Sequence, residues 1–225
     1  MSDDFKTEEE QVEAIKKWWS ENGTSLLLSI VVVAGGWLGW NTYQDNVRAT
    51  GEAASAVYSQ LVEKAAQPAA QQTDVLKSEM IALAEQLKKE YSDTVYSQFG
   101  GLFLARFAAD NGDFDSAAKE LNAVISAAED GPVKLTAQVR LANILVQLEK
   151  YDDALALVPA QPDAAYAAQF NEVKGDALFR KGDLAAAHEA YVAAKAAAQE
   201  SGINTQLLQR KIDSLTSVEL VAEES

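Results

Sequence analysis

The side chains that most often perform chemistry are nearly missing from this sequence. It contains no cysteine and one histidine, His188. Without cysteine there is no thiol nucleophile, no disulfide and no cysteine-ligated metal. His188 lies among alanines in a predicted helix, with no serine or carboxylate constellation that would make it a general base. We interpret it as an ordinary surface histidine, and we expect a protein without catalytic residues, metal or cofactor rather than an enzyme.

One acidic stretch resembles a calcium-binding loop. Residues 110–115 read Asp-Asn-Gly-Asp-Phe-Asp, and EF-hand loops combine oxygen ligands at alternate positions with a glutamate at the twelfth. Here Gly112 and Phe114 occupy ligand positions and Leu121 occupies the twelfth. We therefore interpret the stretch as a turn between two helices.

The composition favours helices and argues against nucleic acid as a partner. Hydrophobic residues make up 48% of the 225 residues, with alanine common among them, whereas glycine and proline number only 12 and 4. The formal net charge is −15, and the basic residues cluster only in pairs. Proteins gain affinity for nucleic acid by neutralising phosphates with lysine and arginine, so we expect no nucleic-acid binding.

An apolar segment near the N-terminus predicts a transmembrane helix at residues 24–43. Its 20 residues carry no charge, and as a helix they would span about 30 Å, the thickness of a bilayer's hydrocarbon core. Aromatic side chains, which favour the headgroup region, lie at both edges: Trp18, Trp19, Trp37, Trp40 and Tyr43. A cleaved signal peptide and a buried soluble helix are the alternatives. The long acidic stretch before the segment and the aromatic residues after it disfavour cleavage.

Residues 1–23 form a predicted cytoplasmic tail with an amphipathic helix that ends at Asn22-Gly23. Three lysines precede the apolar segment and one arginine closely follows it: Lys6, Lys16, Lys17 and Arg48. Because cytoplasmic flanks are enriched in lysine and arginine, we expect the N-terminus in the cytoplasm and the remaining chain on the other side of the membrane.

Two glycines of the apolar segment, Gly35 and Gly39, form a G-x-x-x-G pair. Small residues four apart allow a second membrane helix to approach closely, and van der Waals packing then drives association in lipid. The pair predicts a helix-packing face, although glycine is also common in membrane helices for other reasons.

A sequence motif that occurs three times predicts stacked helical pairs in residues 44–215. A small residue is followed by a turn, an apolar residue and an alanine, and the copies begin at Ala105, Ala142 and Gly175. From Ala105 to Ala142 is 37 residues, and from Ala142 to Gly175 is 33, close to the 34-residue tetratricopeptide period. The second copy has Glu149 where glycine is usual. We expect an all-α fold: one N-terminal transmembrane helix followed by a tetratricopeptide-like α-solenoid.

The pattern is weaker at both ends of the repeats. We expect residues 45–91 to form a divergent helical pair that is broken at Gln67-Pro68. Residues 205–215 are predicted to form a capping helix, and residues 216–225 a disordered tail. In arrays of this kind the first helix of each pair lines a concave face. By register, the residues of a predicted peptide groove are Phe99, Leu102, Arg106, Val139, Asn143, Val146, Glu172, Asp176 and Phe179. For each of them, a place in the interhelical core is the alternative.

The sequence resembles the YfgM family, the ancillary subunit of the bacterial SecYEG translocon. The resemblance covers nearly the whole chain and is closest at residues 11–23, which read QVEAIKKWWSENG, followed by the segment that ends at Gly39-Trp40. It recurs in Leu141-Ala142, in residues 175–178 with 181–183, and in residues 211–215.

This resemblance implies a single-pass protein of the bacterial inner membrane whose helical domain lies in the periplasm. It also implies association with the SecYEG translocon and with the membrane-bound, parvulin-like chaperone PpiD. Unfolded exported proteins would be the clients, passed on to periplasmic chaperones. An envelope scaffold serving cell division or wall synthesis through its groove is the alternative function, and a cleaved, freely soluble binding protein is another.

Overall fold

The computed structural model describes residues 8–68 and 73–223, and within these ranges the chain forms α-helices without a strand. The helices in chain order are α1 (Glu8–Ala65), α2 (Asp74–Glu90), α3 (Val95–Asp110), α4 (Phe114–Ala127), α5 (Pro132–Gln147), α6 (Tyr151–Ala156), α7 (Ala167–Lys181), α8 (Leu184–Glu200) and α9 (Gln206–Glu223). The contacts divide the chain into two units between Glu52 and Ala53. The expected all-α fold is confirmed.

The first unit contains the N-terminal part of α1, which includes the predicted transmembrane segment. An 18-residue window of this helix has a mean hydropathy of 1.6 and only 6% of it is buried. Its large apolar side chains, from Leu26 to Leu38, are exposed. By length and composition, the helix can cross a membrane.

The predicted helix break at Asn22-Gly23 is wrong, because α1 runs through both residues. The Asn22 side-chain amide donates to the Trp18 carbonyl oxygen at 3.1 Å, so it bonds within the helix instead of capping it. A Cβ placed on Gly23 would lie 3.1 Å from the Trp19 ring, which shows that the indole covers the glycine. The tail and the apolar segment therefore share one helix.

The second unit begins with the C-terminal part of α1, which pairs with α2. Ala54, Val57 and Leu61 form a buried cluster with α2 side chains such as Met80 and Leu87. Helix α1 ends at Ala65, just before the predicted break at Gln67-Pro68, and the pair that was predicted as divergent is present. Residues 69–72 lie outside the described residues.

Three helical pairs follow: α3–α4, α5–α6 and α7–α8. The small residue of each copy of the repeated motif lies at a close contact between helices. Ala105 packs with Ala117 and Leu121 of α4. Gly175 of α7 faces Tyr191 of α8, and a Cβ added to Gly175 would lie 2.5 Å from the tyrosine ring. The prediction that the small residue allows the second helix to pack closely against the first is confirmed.

The turns of the three pairs share a left-handed residue. Gly112 and Gly182 have φ of 78° and 87°, and Glu149, at φ 60°, holds the same conformation without being glycine. The next residue is the N-cap of the second helix. The carboxylates of Asp113 and Asp183 accept hydrogen bonds from backbone N–H groups there, whereas Lys150 makes no such cap. Residues 110–115 thus form a helix-capping turn, as interpreted from the sequence.

Helix α9 is longer than the predicted capping helix. It extends to Glu223, so the prediction of a disordered tail is wrong for residues 216–223, and residues 224–225 lie outside the described ones. Leu208 and Leu215, seven residues apart on one face, are buried and anchor the helix. Once a helix is anchored, each added residue gains a backbone hydrogen bond, which explains its extension past Leu215.

Candidate functional site

The structure places the nine predicted groove residues on α3, α5 and α7, the first helices of the three pairs. Their surroundings differ along the domain. Those on α3 border open clefts, and those on α5 are divided between core and surface. Of the three on α7, Glu172 and Asp176 belong to a partly buried polar network and Phe179 is exposed. No ligand or partner tests their predicted role, so it stays a prediction.

An aromatic cleft of about 170 Å³ lies at α3. Its lining consists of aromatic and aliphatic side chains with two guanidinium groups: Tyr58, Phe99, Leu102, Phe103, Arg106 and Arg140. The ring of Tyr58 lies 5.1 Å from that of Phe99 and 6.5 Å from that of Phe103, measured between centroids. Packed rings hold one another in fixed positions, so the cleft has a firm apolar wall.

A second cleft of about 410 Å³ adjoins the first and shares Arg106 and Arg140 with it. It continues along α5 past Asn143 and Ile144. We call the two clefts together the arginine groove, because the shared arginines lie where the two clefts meet.

The two arginines of this groove differ in their partners. Arg106 forms an ion pair with Asp110 at 3.5 Å, and both side chains are more than half exposed, at 58% and 63%, so the pair is weak. Arg140 has no ion pair or hydrogen bond to any side chain of residues 8–68 and 73–223. Partial burial, together with repulsion from Arg106, lowers the pKa of Arg140. The groove thus carries positive charge in a protein whose formal net charge is −15.

The third cleft, of about 240 Å³, lies between α5, α7, α8 and α9. Lys211 of α9 donates hydrogen bonds to Glu172 at 2.9 Å and to Asp176 at 2.6 Å. The Tyr191 hydroxyl donates to the same Asp176 oxygen at 2.7 Å. We call these four residues the lysine network. It joins α7, α8 and α9 through charges that are satisfied within the protein.

The pKa values of this network follow from its contacts. Burial raises the pKa of Tyr191, and its hydrogen bond to Asp176 raises it further, because the deprotonated ring would face a carboxylate. Burial alone would lower the pKa of Lys211. Its hydrogen bonds to Asp176 and Glu172 outweigh that effect and leave the pKa above its ordinary value. Both groups are therefore protonated at neutral pH.

The remaining predicted groove residues are divided in a similar way. Val146 is buried, Val139 packs against the core cluster at Ala142, and the Asn143 side chain donates to the Val139 carbonyl oxygen within its own helix. Phe179 is 41% exposed and lines the third cleft.

The register of the repeats missed three residues of the aromatic cleft at α3: Tyr58, Phe103 and Arg140. Phe103 lies four residues after Phe99, a spacing that puts both on one helix face and could have identified it. Arg140 lies about one helical turn before Asn143 on α5, at a position that the register did not select. Tyr58 belongs to α1, where no repeat pattern is visible.

The predicted helix-packing pair and the single histidine lie apart from these clefts. Gly35 and Gly39 lie open on α1, since a Cβ added to either would meet nothing within 4 Å. His188 lies half-buried on α8. Among the residues that the structure describes, no group of three or more His, Cys, Asp or Glu side chains could hold a metal ion.

Comparison with known proteins relates nearly the whole chain to one group. Residues 16–217 match the family model described as a tetratricopeptide repeat-like domain. Relatives named ancillary SecYEG translocon subunit include those of Neisseria gonorrhoeae, 29% identical over 92% of this chain and 97% of the relative, and Escherichia coli, 27% identical over 94% and 98%. That of Haemophilus influenzae is 28% identical over 92% and 97%. No solved structure gives a significant match.

Proposed function

Because the chain belongs to the tetratricopeptide repeat-like domain family, we propose that it is a membrane-anchored scaffold that binds proteins at the SecYEG translocon. The observation that carries this proposal is the extent of the similarity. Relatives named as translocon subunits align over 97–98% of their own length. The aligned region thus includes the apolar helix as well as the repeats.

The proposed location is the bacterial inner membrane, which α1 crosses once. The N-terminus would lie in the cytoplasm and the repeat domain in the periplasm. This orientation is supported by the lysines before the apolar segment and the single nearby arginine after it. Gly35 and Gly39, open on the helix, would let another membrane helix approach closely.

The proposed action is a binding role rather than catalysis. The repeat domain would associate with the chaperone PpiD and help newly translocated proteins pass to periplasmic chaperones. Pairs of helices that stack in a row provide extended surfaces for partner proteins, and the first helices of these pairs contribute to the lining of all three described clefts.

The test is a pull-down of the full-length, tagged protein from bacterial membranes in mild detergent, followed by mass spectrometry. We expect recovery of translocon subunits and PpiD. Recovery of cell-division or wall-synthesis proteins without the translocon would instead support the alternative envelope scaffold and overturn the proposal.

A pair of variants locates the contact. Replacing both Gly35 and Gly39 with isoleucine should lower translocon recovery, because two branched side chains would hold a neighbouring helix away. The matched control is Gly36→Ile. Gly36 is equally open on the same helix but points about 100° away from Gly35 around the axis. Equal loss in both variants would argue against a specific packing face.

A further inference from the structure

The arginine groove combines two features that suit a ligand with both apolar and anionic groups. One is a fixed aromatic wall, and the other is a guanidinium group, that of Arg140, with no anionic partner in the described part of the chain. Acidic side chains outnumber basic ones in this protein by 34 to 19, so carboxylates were available to pair with it. The lysine network shows such pairing at the other end of the domain.

We propose that the arginine groove binds an extended polypeptide segment of a partner through one acidic side chain seated between Arg106 and Arg140, with apolar residues on both sides of it. This inference rests on the proposed scaffold role and names the chemistry of its partner. The carboxylate would relieve the repulsion between the two guanidinium groups. Planar guanidinium groups bind carboxylates with two parallel hydrogen bonds.

The position of the arginines favours an internal side chain over a chain terminus. Both arginines line both clefts, so open space continues past them in two directions. A C-terminal carboxylate would fill only one of these directions. A segment that passes through the groove fills both, with an apolar residue against Tyr58 and Phe99 on one side and another near Ile144 on the other.

The ion pair that Arg106 forms within the protein is too weak to prevent binding of a carboxylate from a partner. Arg106 has only a solvent-exposed partner, Asp110, and exposed pairs of this kind contribute little free energy. Replacing this pair by an incoming carboxylate therefore costs little free energy. Because burial by the peptide would exclude water from the guanidinium groups, the new hydrogen bonds would be stronger than those of an exposed ion pair.

The experiment measures fluorescence anisotropy with the full-length protein in mild detergent. The probe is a short synthetic peptide, blocked at both ends, with one central glutamate between leucine and phenylalanine residues. We expect the same peptide with glutamine in place of glutamate to bind about tenfold more weakly, which is the usual effect of losing a charge-assisted hydrogen bond. A glutamine peptide with a free C-terminal carboxylate distinguishes a terminal site from an internal one.

The protein variants assign the effect to the groove. Arg140→Gln should weaken the glutamate peptide about tenfold and leave the glutamine peptide unchanged, and Arg140→Lys should retain part of the difference. Arg210→Gln removes the same charge from an exposed position on α9 and should have no effect. Circular dichroism checks that each variant is folded.

Equal binding of the glutamate and glutamine peptides, or no binding of either, would overturn the inference. Tighter binding of the peptide with the free C-terminus would also overturn it. None of these results depends on the translocon. If the pull-down recovers no translocon while the peptides bind as expected, the proposed translocon association is wrong and the inference about the arginine groove is retained.

Discussion

The two ends of the repeat domain use charged side chains in opposite ways. At α7, the carboxylates of Glu172 and Asp176 are bound by Lys211 of the last helix. At α3 and α5, Arg106 and Arg140 lie beside an aromatic wall, and Arg140 has no partner in the described residues. Both sets lie on first helices of the pairs, where the repeat pattern predicts one continuous groove.

This difference shows that position in a repeat does not by itself decide whether a charged residue is structural or available for binding. The difference lies in whether a described side chain of opposite charge pairs with it. Helix α9 brings Lys211 across α7 and satisfies its carboxylates. At α5, no described side chain forms an ion pair or a hydrogen bond with Arg140. The C-terminal end is therefore predicted to stabilise the fold, and the N-terminal end to bind.

The largest expected effect is at the C-terminal end, where Gly175→Val should destabilise the repeat domain by about 3 kcal/mol. Even one added carbon would lie 2.5 Å from the Tyr191 ring, and overpacking of a close helix contact carries a cost of this size. The measurement is urea unfolding of the full-length protein, followed by circular dichroism. Gly51→Ala, with no neighbour within 4 Å, is the control and should not lower stability.

The second prediction concerns alkaline pH, which should weaken the C-terminal end first. The pKa values of Tyr191 and Lys211 are raised above their ordinary values of 10.0 and 10.5. A raised pKa in the folded state means that the stabilisation is complete below the unfolded pKa and is lost as pH rises through the folded one. Stability should therefore fall above about pH 10.

The control for this pH dependence is Tyr191→Phe, which removes the titrating hydroxyl and keeps the ring. This variant should be less stable at neutral pH, because the hydrogen bond to Asp176 is lost, and its stability should fall less steeply in alkali. An unchanged alkaline slope would show that Tyr191 is not part of the titration.

The smallest expected effect is at the turn of the second repeat, where Glu149 and Lys150 replace the glycine and aspartate of the other two turns. Glu149→Gly should stabilise the domain by about 1 kcal/mol, because glycine adopts the left-handed conformation without steric cost. Lys150→Asp should add about 1 kcal/mol by restoring the helix cap that Asp113 and Asp183 provide elsewhere. Urea unfolding of each variant measures both. Gly182→Ala is the reverse control, and stabilisation by it would contradict this interpretation of the turns.

The sequence was sufficient for the architecture because the fold depends on local patterns. The close contacts at Ala105 and Gly175 follow from helical spacing and residue size, and the apolar segment of α1 follows from its length. The register predicted which helices line the clefts, but not the partners of their charges. Lys211 contacts Asp176 across 35 residues of sequence, and such long-range pairing has no local signature.

The two errors at helix ends have a similar origin. Asn and Gly together are typical of a helix end, but at residues 22–23 Asn22 bonds to the preceding turn and the helix continues. In the same way, the position of residues 216–225 after the last repeat helix predicted disorder, whereas the helix continues to Glu223 from its buried anchors. In both places, the context of a longer helix outweighed the local preference.

The most direct test of the contrast is to measure both stability and peptide binding in two variants, Asp176→Asn and Arg140→Gln. We predict that Asp176→Asn lowers the free energy of unfolding by about 2 kcal/mol, since it leaves Lys211 without its closest charge, and that it leaves binding of the glutamate peptide unchanged. Arg140→Gln should change stability by less than about 0.5 kcal/mol and weaken that peptide about tenfold. If both variants lose stability and binding together, the division of the domain into a structural end and a binding end is contradicted.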